Sequence, residues 1–514
     1  MTGRSAGSLT TGLHNTLKQM EAKPRQWVES KVQSSSQMLF QMLFQLIFRK
    51  QTQAFGRIPG PQPLFPIGNI SALQQGKPIW QVLGEQGQHY GGLSLFWILA
   101  RPSLVLNDPD LIQQVLLTAQ QQTGHPSHGH RATQADFYKD IPRKALRPIL
   151  TESHPFVAKN AGPKWQHLVQ NNPFNMTYFH EWMETQVQPL QAFIEGRAEE
   201  LVQQSETDML PAYDAIQKLV FDGFSLATVG QVFPDQVFEQ FNTLCATGTD
   251  RMNRSSIASW MIPEEPKGKH YKEASRQWFQ RFGEVMETTQ ANPAGGSLLD
   301  WVLQRGGSAF TPEQMRNFCA GVYPGGAVSA PSGITSTLHL LFQHPQALSA
   351  LHQDLAGLFR EPLTLERLEN CVPVEQVLRE SLRLWPPVPF FTRNTVRTIH
   401  LAGHDIPANT QIFINNWFLQ RLSPHWQDSE SFKPERWDAK TLAENDYGSD
   451  YFFPFGRGDR ACIGQDFAKF FMRLTIAILL AKVEIQFGDQ PHDQEFYFGV
   501  SVPRQLKARF VLRA

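Results

Sequence analysis

A chain of 514 residues with 41% apolar and 18% charged residues can bury a large core, which excludes a disordered polypeptide. Lysine plus arginine equals aspartate plus glutamate at 47 each, so the basic footprint of a nucleic-acid binder is missing. Four cysteines, Cys245, Cys319, Cys371 and Cys462, lie far apart without a CxxC pair, which argues against a zinc knuckle or a disulfide framework and fits a reducing compartment.

Residues 1–36 are polar and hold no apolar run followed by a cleavage-like site, so a retained N-terminus is expected. Residues 38–48 (MLFQMLFQLIF) are apolar but interrupted by Gln41 and Gln45. A membrane span needs about 20 apolar residues, so no transmembrane helix is expected. With Arg49 and Lys50 next in line, the stretch suits either a membrane interface or a helix packed on the protein's own core. Ile58-Pro59-Gly60-Pro61 is a rigid turn that marks the start of the main domain, leaving 1–57 as an extension that can be helical. Leu93 to Leu99 and Pro102 to Asn107 read as a β-hairpin. From about 178 to 360 the pattern is helical, with amphipathic runs at 186–204, 212–230 and 273–290. Short β-like pieces return at 399–414 and from Ala508 to Leu512. No interior linker or repeat divides the chain, so 58–514 is read as a single domain, mainly α with small β-sheets.

The stretch with the most chemistry is Phe455-Gly-Arg-Gly-Asp-Arg-Ala-Cys462-Ile-Gly464, followed by the apolar helical run from Phe467 to Val483. A cysteine at the start of a long helix sits where backbone N–H groups and the helix dipole stabilise a thiolate, a good iron ligand. Gly458 and Gly464 permit a tight backbone that a flat macrocycle can approach, Phe455 can pack beside the sulfur, and Arg460 offers a fork to a carboxylate. The other three cysteines read as small buried hydrophobes.

This segment resembles the haem-binding signature FxxGxRxCxG of the cytochrome P-450 family, matched at every specified position from Phe455 to Gly464. The resemblance implies a triangular-prism fold and haem b (iron protoporphyrin IX) held by the thiolate of Cys462. Upstream, Glu380-Ser-Leu-Arg383 puts two charges on one helix face. It is followed by Leu384-Trp-Pro-Pro-Val-Pro-Phe-Phe-Thr-Arg393 and by Phe432-Lys-Pro-Glu-Arg436-Trp437, in the family's order. The resemblance implies a buried structural network of Glu380, Arg383 and Arg436, with Arg393 as a propionate ligand. Trp165, in Gly162-Pro-Lys-Trp165, falls at the family's propionate-binding tryptophan and reads otherwise as a core aromatic. Val169 replaces the basic residue usual four positions later, so one anion contact is missing or moved.

The family's long central helix carries a small-Gly-x-acid-Thr element. Counting back from His344-Pro345 and forward from Thr311-Pro-Glu313 both land on Gly325-Gly326-Ala327-Val328-Ser329. Here Val328 stands for the acid and Ser329 for the threonine, while Pro324 and Pro331 are expected to distort the helix. A register starting at Ala320-Gly321 supplies no acid either. Valine carries no proton, so delivery would rest on Ser329, ordered water or the substrate.

Two activities follow. The first is a monooxygenase inserting one atom of O2 into an apolar small molecule, in lipid or secondary metabolism. The second is a family member that rearranges or dehydrates a hydroperoxide, or uses peroxide, for which no acid–alcohol relay is needed. A haem-binding protein without turnover is the third reading. No flavin or iron–sulfur segment follows the last strand-like piece before Ala514, so electrons are expected from a separate reductase, docking near Arg457, Arg460 and Lys469 unless these are plain surface charge. Residues 118–162, with His125, His128, His130, Phe137 and Tyr138, read as a substrate-covering loop with exposed histidines and no second metal. The expected location is cytoplasmic, with membrane contact through 38–48 as an addition.

Overall fold

In the computed structural model, residues 34–64, 67–69, 77–99, 101–117, 137–138, 173–175, 178–257, 267–291, 295–305, 312–438, 441 and 447–513 are described. Among these, the helices are α1 (Ser34–Ile47), α2 (Arg49–Phe55), α3 (Ile79–Tyr90), α4 (Pro109–Leu116), α5 (Phe179–Gln204), α6 (Ala212–Val229), α7 (Asp235–Ile257), α8 (Lys267–Ala291), α9 (Leu298–Arg305), α10 (Pro312–Gln343), α11 (Pro345–Leu358), α12 (Leu365–Glu369), α13 (Val372–Leu384), α14 (Asn416–Arg421) and α15 (Gln465–Lys482). The strands are β1 (Leu93–Ile98), β2 (Arg101–Leu106), β3 (Phe137–Tyr138), β4 (Leu210–Pro211), β5 (Phe391–Thr395), β6 (Ile399–Leu401), β7 (His404–Ile406), β8 (Gln411–Ile414), β9 (Val483–Phe487), β10 (Glu495–Tyr497), β11 (Val500–Val502) and β12 (Lys507–Leu512).

The apolar stretch after residue 37 divides its side chains between two environments. Phe44 is fully buried and meets Trp97 edge-on at 4.9 Å, which pins α1 to the β1–β2 hairpin. Met42, Leu46 and Ile47 are 61%, 71% and 53% exposed on the other side. No helix among the described residues is long and apolar enough to cross a membrane.

The hairpin read from the sequence is β1–β2, antiparallel with Leu93 opposite Leu106. It extends into a five-stranded sheet in the order β1-β2-β8-β5-β3, where β8 runs parallel to β2 and antiparallel to β5. Phe137 and Tyr138, read as variable loop, pair instead with Thr395 and Asn394 at the sheet edge. The 399–414 region splits into the hairpin β6–β7 and strand β8. The C-terminal strand β12 lies between β4 and β9.

The three amphipathic runs become α5, α6 and α8. Helix α6 stops at Gly230, which adopts φ +80, the left-handed geometry that favours glycine at a helix end. Between these helices Phe221, Phe224, Trp278, Phe282 and Tyr323 form one aromatic packing unit around the middle of α10. Pro324 and Pro331 both lie inside α10, which runs from Pro312 to Gln343. Lacking an N–H, Pro324 leaves the Ala320 carbonyl without its helical partner, and the Trp278 indole N–H bonds that oxygen at 3.1 Å.

Candidate active site

The cysteine loop is shaped by two glycines. Gly456 and Gly458 sit at φ +74 and +72, a region costly for any residue with a Cβ, and Gly458 opens a short turn to Arg460. The Cys462 N–H donates to the Phe455 carbonyl at 2.8 Å and Ala461 N–H to Gly458 at 2.9 Å, closing the loop on itself just before α15. Gly464 behaves differently, with φ −99 and no atom within 4 Å of a Cβ built there. Phe455 packs edge-on to Tyr447 at 5.3 Å. Cys462 is exposed, whereas Cys245 is buried and Cys319 and Cys371 are partly so. Burial raises all three of those thiols, Cys319 to about 12, which keeps them protonated.

Glu380 and Arg383 are completely buried on α13 and make a two-pronged pair, Nε to Oε2 and Nη2 to Oε1, both at 2.9 Å. Arg436 Nε donates to the same carboxylate at 3.3 Å. The Trp437 indole N–H at 3.0 Å and the Lys433 backbone N–H at 3.0 Å complete it, contacts the sequence did not reveal. Arg383 also donates to the carbonyls of Gln420, Ser429 and Ser431 at 2.8, 2.7 and 3.2 Å, tying α13 to the segment that leads into the cysteine loop. A second unforeseen network joins α13 to α15. Glu375 accepts from Arg379 at 2.6 Å and from Arg473 at 2.7 Å. Burial by itself would raise the Glu375 carboxyl, but Arg473 and Arg379 outweigh it and hold it below the usual range. Only the i,i+4 spacing of Glu375 and Arg379 hinted at this. Arg457 pairs with Asp450 at 2.5 Å and Lys469 with Asp466 at 2.9 Å, so both charges are answered locally.

Arg393 stands on β5, 2% exposed. It donates to the adjacent Thr392 carbonyl at 3.0 Å, its Nε has no partner, and no described carboxylate forms an ion pair with it. Burial, then the nearby Arg460, lowers its guanidinium to about 9. Two guanidiniums brought together in this way call for an anion between them.

On α10, Gly325 is exposed, Gly326 and Ser329 are partly so, and Ala327 and Val328 are fully buried. A Cβ on Gly326 would meet the Phe224 ring at 3.2 Å, so this glycine lets α6 approach. Ser329 Oγ donates to the Gly325 carbonyl at 2.6 Å, and the Tyr213 hydroxyl donates to the Val328 carbonyl at 3.1 Å. Thus Ser329 faces the open side and Val328 the packed side. Trp165 and the histidines His125, His128 and His130 lie outside the described residues.

The Cytochrome P450 family model matches residues 58–508. The chain belongs to the cytochrome P450 family. It is 25% identical to a probable cytochrome P450 of Drosophila melanogaster, covering 84% of each chain. A cytochrome P450 of Trigonella foenum-graecum is 24% identical over 76% of this chain and 75% of its own. In structure, it is similar to a cytochrome P450DA heme domain with a TM-score of 0.74 at 18% identity, covering 89% of this chain and 97% of the other, which shows the fold. The mainly helical architecture with small sheets expected from the sequence is therefore that of a P450. Membership brings a haem cofactor, an oxidoreductase activity of the haem-thiolate monooxygenase class, small-molecule substrates and, as is general in the family, a separate redox partner.

The residues present fit such a cofactor. An exposed thiol at a helix start can bind iron, and the buried Arg393 with Arg460 beside it can take propionates. Glu375, Arg473 and Trp278, overlooked in the sequence, hold the surrounding elements together with Trp437, whose bond to Glu380 the sequence did not reveal.

Proposed function

We propose that this P450 inserts one oxygen atom from O2 into an apolar small molecule, using haem b ligated by Cys462 and electrons from a separate reductase. The observation that carries the reading is the buried, anion-seeking Arg393 in the same protein as the exposed, loop-held Cys462. Residues 58–514 would form the single catalytic domain and 1–57 an extension.

Bound haem supplies oxygen activation, its thiolate ligand favouring O–O cleavage. The chain's own residues do the rest. Cys462 provides the sulfur, and the Gly456–Gly458 turns hold it in place. Arg393 and Arg460 would hold the propionates, with Trp165 as a further donor, Phe455 would shield the sulfur, and Gly464 would leave room for the ring. Glu380, Arg383 and Arg436 keep the cysteine loop in register. Ser329 holds a proton at Oγ on the open face of α10, with Gly326 permitting the close helix packing beneath it and Val328 contributing packing alone.

The buried valine at 328 also favours a second reading, a hydroperoxide isomerase or dehydratase, which needs no proton from an acid at that position. The exposed Met42, Leu46 and Ile47, beside Arg49 and Lys50, support a peripheral membrane contact through 38–48.

The test is spectroscopic and then kinetic. Reduced protein under carbon monoxide should show the red-shifted Soret band of thiolate-ligated haem, and Cys462→Ala should abolish it. A normal band in that variant would overturn the ligand assignment. Turnover with a surrogate reductase under O2, compared with consumption of a lipid hydroperoxide without electrons, separates the two activities, and activity in the second assay alone would select the isomerase.

A further inference from the structure

The central helix carries a polar stripe where packing with β9 and β11 would ordinarily call for apolar side chains. Ser329, Ser332, Ser336 and His339 follow the spacing 3, 4, 3, which aligns them on one face of α10 over about 15 Å at the helical rise. Ser332, Ser336 and His339 are buried at 0%, 0% and 2% exposure, while Ser329 opens toward the site.

Ser332, Ser336 and His339 each meet a polar group on segments packed against α10, while Ser329 bonds the Gly325 carbonyl of its own helix. Ser332 Oγ donates to the Ser501 carbonyl at 2.6 Å, and the Ser501 hydroxyl donates to Gln494. Ser336 Oγ lies 3.2 Å from His492 Nε2. His492 stacks on His339 with ring centroids 5.0 Å apart and packs tilted against Trp385 at 4.2 Å, and it is itself partly exposed. Four buried polar atoms here have no hydrogen-bond partner among the described residues: His339 Nδ1, His492 Nδ1, Thr335 Oγ1 and Gln494 Nε2. Polar atoms at that depth are costly unless water partners them, and several together define a place where water belongs.

The geometry points to a proton path: we propose that water held between α10 and the β10–β11 hairpin, together with His492, Ser336 and Ser332, carries protons from the surface to Ser329 in place of the acid absent at 328. The proposal rests on the monooxygenase reading, since only that activity consumes protons at the site. The transfer is balanced. One proton enters at one ring nitrogen of His492, another leaves from the second nitrogen toward Ser336, and the ring returns to its first tautomer by exchange with solvent. No electron moves in these steps. His492 and Ser336 act through Ser329 and are positioning residues.

The surroundings keep the imidazoles neutral, as a two-way relay requires. Burial lowers His339 to about 4 and His492 to about 3, with His339 and Arg421 of α14 adding to the effect on His492. Trp385 at the end of α13 and Phe487 of β9 supply the apolar walls, and no carboxylate is among the groups that shift either ring.

The holoprotein tests this in two ways. A high-resolution crystal structure should show ordered water on Nδ1 of both histidines, and a dry seam would overturn the path. The native protein, Ser336→Ala, Ser336→Thr and His492→Phe are then compared in NADPH-driven oxygen consumption with a surrogate reductase, in water and in heavy water. The control is guaiacol oxidation by cumene hydroperoxide, which brings its own oxygen. Ser336→Ala and His492→Phe should slow the NADPH reaction about tenfold, with the control within about twofold. They should also enlarge its solvent isotope effect, while Ser336→Thr stays near native. Equal losses in both assays would mean a structural role and would defeat the proposal, as would unchanged NADPH turnover. A native protein that keeps the thiolate band but accepts no electrons would instead defeat the monooxygenase reading and take the path with it.

Discussion

The cysteine side and the central-helix side of the site solve different problems. Around Cys462 the backbone is fixed twice, by left-handed turns at Gly456 and Gly458 and by the buried Glu380 carboxylate, which gathers Arg383, Arg436, Trp437 and Lys433. Around Ser329 the helix is held through its carbonyls, by Trp278 on Ala320 and Tyr213 on Val328, and its side chains are small. The first arrangement specifies one geometry through charge. The second leaves side-chain chemistry open. Substitutions on the two sides should therefore fail in different ways.

The largest effect is expected at Glu380. Glu380→Gln leaves Arg383 buried without its counter-charge and should cost about 3–5 kcal/mol in urea unfolding, with loss of bound haem. A loss near that of a surface pair would break the claim that charge fixes the cysteine side. Arg393→Leu should separate cofactor binding from folding, because the apoprotein no longer buries an unanswered cation. Its apoprotein stability should hold or rise, while haem transfer to apomyoglobin speeds by about tenfold or more, the worth of a charge-assisted hydrogen bond. Next comes the turn itself. Gly458→Ala should cost about 1–2 kcal/mol for a left-handed alanine, whereas Gly464→Ala, at an ordinary φ in open space, should leave apoprotein stability unchanged. Equal costs for the two would contradict the loop geometry. The smallest stability effect belongs to Ser329→Ala, which removes one hydroxyl bond and should cost no more than about 1 kcal/mol by thermal unfolding. Its carbon monoxide band should persist while NADPH oxidation yields hydrogen peroxide instead of water, so that the central-helix side fails in chemistry and not in folding.

Legibility in the sequence followed the same division. The cysteine loop and the Glu380–Arg383 pair were readable because each is local, a glycine pattern or a helical spacing, and Phe455, Arg393 and Arg436 were read from fixed distances to them. The Glu375–Arg473 pair and the bonds that Trp437 and Lys433 make to Glu380 were not, since they join segments far apart in the chain that meet only in the folded protein. The strands β10 and β11 have three residues each, and such runs give too little alternation to stand out. The Ala320 carbonyl, which Pro324 leaves without its helical donor, is met by an indole from α8, which no local rule anticipates.

By itself the sequence determined the mainly helical class, the family, and which cysteine stands at a helix start among glycines, because these rest on periodicity and contiguous residues. Only the tertiary structure decided that Arg393 is buried with no carboxylate partner among the described residues, that Val328 faces helix packing while Ser329 faces the open side, and that two histidines 153 positions apart in number, His339 and His492, stack in one seam. Burial and charge pairing arise between distant segments, and the free energy of a polar group is set by what folding places around it.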